Sequence, residues 1–316
     1  MIARLVLARL VDLLFVLFCV SVIVFFMIRL VPGDAVAIML GANTEVTPER
    51  MADLRARIGL DRPIVEQYAR WIGAVLTGDL GKSLWTGRPV LDEIALHVWP
   101  TLQLTLLSLA IGAGLAIPAG CLMAKLRGQA ADAAMRIVTV VGLTVPNFWL
   151  GIVMILTLAT LAPTLQALGY VPFASDPWGN LGRLILPAVA LSLPILANLS
   201  RLLRSAMLDA LQQDYIRTAR AKGASESSVL YRHALRNALI PFVTSVGIMT
   251  GYLLGGAIVI EQVFAIPGLG RLILGAIGER NYPLLQATIL LVTSGFVLIN
   301  FLVDLLYLAI DPRVRA

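Results

Sequence analysis

The sequence predicts an all-α membrane protein with six membrane-spanning helices. Hydrophobic residues make up 59% of the 316 residues and charged residues only 14%, and the mean hydropathy is +0.86. A soluble surface cannot cover so large an apolar fraction. Six apolar stretches approach the length of about 20 residues that a helix needs to cross roughly 30 Å of hydrocarbon. Loops rich and poor in basic residues alternate between them, which is typical of a polytopic protein.

The six predicted spans are residues 13–28, 102–123, 137–161, 184–200, 242–260 and 284–310. The first follows Arg4 and Arg9, as a signal peptide would, but its apolar core is too long and no small-residue cleavage site follows it. We interpret it as a retained helix. The fourth contains Pro187 and Pro194, which a membrane helix tolerates only where neighbouring helices satisfy the freed carbonyls. The fourth span should therefore pack inside the bundle.

The distribution of basic residues predicts that both termini are cytoplasmic. With this orientation 14 basic residues lie at cytoplasmic ends, whereas the two short outside loops hold only Arg183, Arg271 and Arg280. The cytoplasmic set is Arg4, Arg9, Lys125, Arg127, Arg136, Arg201, Arg204, Arg217, Arg220, Lys222, Arg232, Arg236, Arg313 and Arg315. The net charge of +6 then reflects topology and contact with anionic lipid headgroups, so nucleic acid is not needed as a partner.

Residues 33–98 form a long predicted extracytoplasmic loop between the first two spans. Thr47 and Pro48 predict the start of one helix, which Gly59 ends. A second amphipathic helix should follow Pro63. Its apolar positions recur at helical spacing and are Ile64, Tyr68, Trp71, Ile72 and Val75. This face should lie on the membrane interface or on the bundle, and the loop could be a structural lid or could contact an external partner.

No constellation for catalysis, cofactor binding or metal binding is visible in the sequence. Cys19 and Cys121 lie in different predicted spans, and His97 and His233 have no carboxylate or nucleophile at a recognisable spacing. A phosphate-binding GxxxxGK[ST] motif is missing, so the chain is not expected to hydrolyse nucleotide itself. We expect no enzyme activity, cofactor or metal on this chain.

Small residues recur at intervals of four in two spans, as Gly112, Ala116 and Gly120 and as Gly247, Gly251 and Gly255. Such ridges permit close helix approach, or they leave room for sliding or for a solute between subunits. The candidate pathway-lining residues are Asn147, Thr244, Ser245, Gly247, Thr250, Gly251 and Gly255. Glu261 and Asp304 are placed near span ends, where an acidic group can be interfacial.

A basic and polar run from Asp214 to Pro241 predicts a helix, a tight turn and a second helix. Gly223 can take the positive φ that ends the first helix, while Ser225 can cap the second and Glu226 can complement its dipole. Because the run lies on the predicted cytoplasmic side, it should offer a compact knob to a partner protein.

These residues resemble the cytoplasmic docking loop, called the EAA loop, of permease subunits in bacterial ATP-binding-cassette (ABC) importers. The resemblance is to the first permease of the dipeptide, oligopeptide, nickel and glutathione branch, and it covers nearly the whole chain. The further matching motifs are Leu60-Asp-Arg-Pro63, Gln67-Tyr68, Trp71, Gly78-Asp-Leu-Gly81-Lys-Ser83, Thr86-Gly-Arg-Pro89-Val90, Val145-Pro-Asn-Phe-Trp149, Glu261-Gln-Val-Phe-Ala-Ile-Pro267-Gly-Leu-Gly270-Arg271, Asn281-Tyr-Pro283 and Asp311-Pro-Arg313. The sequence departs from the general loop pattern, because Arg217, Thr218 and Ala219 stand where that pattern has Glu-Ala-Ala.

The resemblance implies one transmembrane domain over residues 1–316, with an ATPase-docking loop at residues 204–238. The implied docking residues are Arg217, Thr218, Ala219, Arg220, Lys222, Gly223, Ala224, Ser225 and Glu226. It also implies the bacterial inner membrane as the location and a homologous second permease that forms the other half of the pathway. Two ATPase subunits that carry ATP and Mg²⁺, and an extracytoplasmic solute-binding protein, complete the implied assembly.

Two other classes of function remain open from the sequence. A membrane subunit of a proton-translocating respiratory enzyme should carry several ionisable groups in mid-span, but these spans are almost free of charge. A self-contained secondary transporter should show an inverted repeat and broken helices around a midplane site. The cargo also stays open among dipeptides, longer peptides, glutathione, nickel chelates and opine-like compounds.

Overall fold

The computed structural model describes residues 2–29, 62–162 and 168–310. In these ranges the chain is helical apart from turns and connecting segments, and one isolated antiparallel bridge joins Lys82 to Pro89. The helices are α1 (Ile2–Arg29), α2 (Ile64–Leu76), α3 (Val90–Lys125), α4 (Ala130–Thr144), α5 (Asn147–Leu161), α6 (Pro177–Leu211), α7 (Asp214–Ala221), α8 (Glu226–Ser228), α9 (Leu235–Gly256), α10 (Ile258–Val263), α11 (Leu269–Gly278) and α12 (Tyr282–Ile310). The predicted helix at residues 47–59 and the motif at residues 311–313 lie outside the described residues.

Four helices, α1, α3, α6 and α12, are long and apolar enough to cross a membrane by length and composition. The pair α4 and α5 adds a fifth if it counts as one broken span. The predicted span 242–260 falls on α9 and on α10, which begins directly after Ala257. The all-α prediction therefore holds for the described residues. These residues contain four candidate spans, or five if the bent pair is counted.

The predicted span over residues 137–161 is not one continuous helix. The chain bends by 96° between α4 and α5. Val145 leaves the helical region, with φ −72° and ψ 122°, and Pro146 follows it. Proline lacks the N–H that would continue the helix and disfavours helical geometry in the residue before it. Asn147 then begins α5, and its side-chain oxygen accepts the Phe148 N–H at 2.8 Å.

Helix α6 forms the centre of the bundle, which confirms the expectation from its prolines. It packs along α3 and also contacts α4, α5 and α9, and Pro187 is buried within it. The α3 ridge explains the close approach. A Cβ at Gly112 would lie 2.8 Å from the Ile195 Cβ, and one at Gly120 would lie 2.9 Å from the Leu203 Cβ. The packing explanation of this ridge is therefore confirmed.

The described part of the predicted extracytoplasmic loop includes α2, which begins after Pro63 as expected and lies against α1. The Tyr68 and Ser21 hydroxyls are 2.7 Å apart. The ring centre of Phe25 lies 5.2 Å from that of Tyr68 and 5.6 Å from that of Trp71. The apolar face of α2 was expected to lie on the membrane interface or on the bundle. Its aromatic side chains pack on the bundle.

Candidate docking site

The docking loop begins at Arg204 in α6 and continues as α7, a turn, α8 and a π-helical turn at Val229–Ala234 that leads directly into α9. Gly223 has φ +80°, as its sequence position predicts. The Ala224 N–H donates to the Ala219 carbonyl at 3.1 Å and the Gly223 N–H donates to the Arg220 carbonyl at 2.9 Å. These two hydrogen bonds form a Schellman motif, which satisfies carbonyls at the end of α7. The Ser225 hydroxyl then accepts the Ser228 N–H at 3.4 Å.

Buried apolar side chains fix this loop to the bundle. Ile216 and Val229 are fully buried, and Leu230 and Ala234 are also buried in the main hydrophobic core. Burying a Val or Ile side chain contributes about 1.5–3 kcal/mol relative to exposure. The loop is thus a folded part of the bundle, and its anchoring side chains point away from its polar face.

The predicted docking residues form the exposed face of the loop. Most of their side chains are exposed, while Ala219 and Ala224, which flank the Schellman turn, are half-buried. Arg217, which stands where the resembled loop pattern has glutamate, pairs with Asp214 at 3.2 Å, and both side chains are largely exposed. An exposed ion pair of this kind adds little stability. The face therefore offers cationic and polar groups that a partner can reach.

An ion pair across the turn was not predicted from the sequence. The Arg220 guanidinium donates to both carboxylate oxygens of Glu226, at 2.8 Å from Nε and 3.2 Å from Nη2. These hydrogen bonds hold the pKa of the Glu226 carboxyl below its ordinary value. Glu226 was expected to complement the dipole of α8, and it does lie in the first turn of that helix. The bidentate contact additionally links the two sides of the Gly223 turn.

The candidate pathway residues lie on two helices. Asn147 begins α5 at the bend, whereas Thr244 and Thr250 donate to carbonyls one turn earlier in α9. Gly247 faces Val303 of α12, and a Cβ at Gly251 would lie 2.9 Å from the Phe296 ring. Close packing within the chain thus accounts for these two glycines. The remaining candidates are Ser245, which is half-buried, and Gly255, whose surroundings are outside the described part of the chain.

At the other end of the bundle, Glu261 is fully buried in α10. Its position relative to the membrane interface stays a prediction. Its carboxylate accepts the Thr101 hydroxyl at 2.5 Å, the Gly270 N–H at 2.8 Å and the Arg271 N–H at 3.1 Å. The Thr101 oxygen in turn accepts the Leu269 N–H at 2.8 Å. Together these groups cap the N-terminus of α11 and join it to α3.

The same end brings together two motifs that lie about 200 residues apart in the sequence. Asn281, buried after α11, donates to the Ser83 hydroxyl at 2.8 Å and accepts the Leu84 N–H at 3.2 Å. The Trp85 indole N–H donates to the Glu279 carbonyl at 2.7 Å. We call α10, α11 and the residues to Asn281 the hairpin. The segment before α3 is thus fixed to the hairpin by specific polar contacts.

An ion pair at the docking end joins α4 to α6, and sequence reasoning missed it. Asp132 in the first turn of α4 accepts from Arg204 Nε at 2.8 Å and from Nη2 at 2.7 Å. Arg136 Nε lies 3.6 Å from the same carboxylate. Asp132 is 1% exposed and Arg204 20% exposed. Such a long-range pair carries no local sequence signal.

In the described part of the chain, no group of three or more His, Cys, Asp or Glu side chains could hold a metal ion. The polar clusters described above instead link helices or face outward. The geometry is that of a helical membrane bundle with one exposed, anchored polar loop.

Comparison with known proteins identifies this architecture. A model described as "Binding-protein-dependent transport system inner membrane component" matches residues 116–316, and the model for the N-terminal region of such membrane components matches residues 1–104. The chain belongs to this family. It is therefore a permease component of the inner membrane with several membrane-spanning helices, and the recognised resemblance is confirmed.

Relatives that match over nearly the full length carry transport names. The glutathione transport system permease protein GsiC of Escherichia coli K12 is 40% identical, with 98% of each chain covered. A Sinorhizobium fredii protein named "Probable peptide ABC transporter permease protein" is 38% identical, again with 98% of each chain covered. The respiratory-enzyme and secondary-transporter alternatives find no support among these similarities.

The fold resembles a solved transporter. The methionine ABC transporter MetNI, in an inward-facing conformation, matches with a TM-score of 0.57 and 22% identity. The match covers 69% of this permease and 96% of the solved chain. At this identity the similarity concerns the fold alone.

Proposed function

We propose that this permease forms half of the translocation pathway of an ATP-driven importer for peptides or peptide-like solutes such as glutathione. A homologous second permease supplies the other half. Two cytoplasmic ATPase subunits bind and hydrolyse ATP with Mg²⁺, and an extracytoplasmic binding protein delivers the solute. The names of the full-length relatives support the solute class.

The observation that carries the proposal is the anchored, exposed docking loop. Ile216 and Val229 are fully buried in the core, whereas the face from Arg217 to Glu226 is largely exposed. A loop held in this way transmits force from a bound partner to the bundle, since its anchors belong to the same packed core as α6. Closure of the ATPases would shift the bundle between inward-facing and outward-facing states.

The proposed topology has six spans with both termini in the cytoplasm. The broken pair α4 and α5 and helix α9 supply the two spans beyond the four that meet the length and hydropathy criteria. The docking loop is then cytoplasmic, and the hairpin and the segment before α3 are extracytoplasmic. A membrane-impermeant thiol reagent applied to intact spheroplasts should label a cysteine at position 49 and spare one at position 316. The reverse pattern would contradict the orientation.

Reconstitution with the ATPases and the binding protein tests the function directly. Dipeptides, longer peptides, glutathione, a nickel chelate and an opine are each tested for stimulation of ATP hydrolysis and for uptake into proteoliposomes. The proposal expects stimulation and uptake by a peptide or by glutathione. Uptake that needs an ion gradient and proceeds without the ATPases would contradict it and support a secondary transporter.

A further inference from the structure

Helix α4 is held to the bundle in an unusual way. Among its 15 residues, all of them described, only Asp132 is buried. Several of its apolar side chains face outward, and Ile137 and Val138 are 65% and 69% exposed. Met135 and Leu143 are half-buried. The single buried side chain of this helix is thus a carboxylate in an ion pair.

The partner of that carboxylate is the first residue of the docking loop. Arg204 lies seven residues before the end of α6 at Leu211, and α7 begins only three residues later at Asp214. Two helical turns span about 11 Å, so the pair lies close to the exposed docking residues that begin in α7. A bidentate Arg–carboxylate contact fixes distance and orientation together.

Nearer the bend, α4 passes close to α6 at Gly142, but no buried side chain joins the two helices there. A Cβ at Gly142 would lie 3.8 Å from the Ala197 Cβ and 4.0 Å from the Leu193 carbonyl oxygen. The 96° bend follows directly, and α5 beyond it meets the hairpin, where a Cβ at Gly151 would lie 2.8 Å from the Phe264 ring. The α4–α5 pair therefore connects the docking end of the molecule to the hairpin.

We propose that the Asp132–Arg204 pair is the link that makes α4 move with the docking loop during transport. The inference rests on the proposed function, since it requires ATPases at that loop. Asp132 acts here as a positioning residue: it touches no solute, and it transfers the displacement of α6 to the broken span. Without the pair, the first half of that span keeps few buried contacts that would force it to follow.

The test uses the whole complex in proteoliposomes, with glutathione or a tripeptide as the transported probe, whichever the wild type imports. Asp132→Asn keeps the shape of the side chain and removes its charge. We expect this variant to retain both ATPases and their hydrolysis, while the number of solutes imported per ATP falls at least fivefold. Glu66→Gln is the matched control, because Glu66 on α2 pairs with Arg70 on the same helix and with Arg62 just before it, away from the docking loop. This control should leave the ratio unchanged.

A spectroscopic measurement separates coupling from general damage. Spin labels at positions 134 and 205, both exposed, report the distance between α4 and α6. In an otherwise wild-type complex this distance should stay constant when nucleotide binds. In Asp132→Asn the distribution of distances should broaden, and its mean should change when nucleotide binds. If Asp132→Asn does not fold, Arg204→Lys replaces the bidentate fork with one ammonium group and should give a smaller change of the same kind.

Three results would overturn the inference. One is a number of solutes imported per ATP that stays within twofold of wild type in Asp132→Asn, together with an unchanged distance between the spin labels. If Asp132→Asn does not fold, the same result in Arg204→Lys counts. Another is loss of the ATPases from Asp132→Asn while the wild type retains them, because the pair would then shape the docking surface. If the wild type itself retains no ATPase, the proposed function fails, and this inference fails with it.

Discussion

The docking loop and the hairpin use the same residue types in opposite ways. In the docking loop, Arg220 and Glu226 pair on the exposed side of the Gly223 turn, while apolar side chains anchor the loop below. In the hairpin, Glu261 is fully buried and satisfies donors from two helices. A carboxylate on the surface contributes little to stability and stays available to a partner, whereas a buried one must be fully hydrogen-bonded and fixes the helices around it. The first region keeps its charged groups exposed, and the second uses its carboxylate to fix the positions of helices.

The largest effect should come from removing the buried carboxylate. Glu261→Ala leaves the Gly270 and Arg271 N–H groups without their acceptor, at a cost of about 1–3 kcal/mol for each group left buried and unpaired. The Thr101 hydroxyl keeps only its long hydrogen bond to the His97 carbonyl, at 3.4 Å. We expect the midpoint of thermal unfolding in detergent to fall sharply. Glu279→Ala, at an exposed position just beyond α11, is the control and should change it little. If the midpoint of thermal unfolding shifted by the same small amount in both variants, the buried carboxylate would stabilise the protein no more than an exposed one.

A second prediction concerns two glycines of α11. A Cβ at Gly270 would lie 2.5 Å from the Ile258 Cα, whereas one at Gly275 meets nothing within 4 Å. Gly270→Ala should destabilise the protein by about 1–3 kcal/mol through overpacking. Gly275→Ala should be neutral or stabilising by up to about 1 kcal/mol, because alanine favours helix. Chemical denaturation gives the free energy of unfolding of each variant. An unchanged value for Gly270→Ala would mean that α10 and α11 can separate.

The third prediction tests whether the segment before α3 depends on the hairpin. Asn281→Ala removes both hydrogen bonds to Ser83 and Leu84, so amide hydrogen exchange should accelerate over residues 79–89. The control is Asn237→Ala, whose amide donates to the Tyr215 hydroxyl at 2.7 Å on the exposed docking loop. It should leave exchange at residues 79–89 unchanged. Unaltered exchange in Asn281→Ala would show that packing alone fixes this segment.

The smallest effect should come from the exposed ion pair of the docking loop. The Arg220 hydrogen bonds lower the pKa of the Glu226 carboxyl, so the pair's contribution is present above the ordinary carboxyl pKa and is lost as the pH falls through the lowered value. Glu226→Gln should therefore lower the thermal midpoint slightly near neutral pH, and the difference should vanish in strong acid. A difference that grows as the pH falls would contradict this assignment.

The features that sequence reasoning predicted correctly depend on local backbone rules. The positive φ of Gly223, the Ser225 cap, the amphipathic helix after Pro63 and the α3 ridge each follow from a few neighbouring residues. The Pro146 bend had a local signal too, since proline disfavours a continuous helix, but the length of the apolar run favoured a single span.

The missed contacts are long-range and polar. Glu261 with Thr101, and Asp132 with Arg204, join residues 160 and 72 positions apart. Which carboxylate meets which donor depends on how the helices pack, and one sequence does not contain that information in a readable form. The ATPase-docking and pathway roles of individual residues stay predictions, because they involve surfaces that partner chains would cover.

The central claim is that the shape of the docking loop recruits the ATPases, and one measurement tests it. Gly223 and Gly78 both have positive φ, +80° and +85°, and a Cβ at either would meet nothing within 4 Å. A valine at either position imposes a similar backbone strain of about 1–2 kcal/mol, and its Cβ meets no neighbouring atom. The amount of ATPase that co-purifies with each variant is quantified against the proposed second permease. We predict that Gly223→Val keeps the second permease and loses most of the ATPases, while Gly78→Val keeps both. Equal ATPase recovery in the two variants would contradict the account.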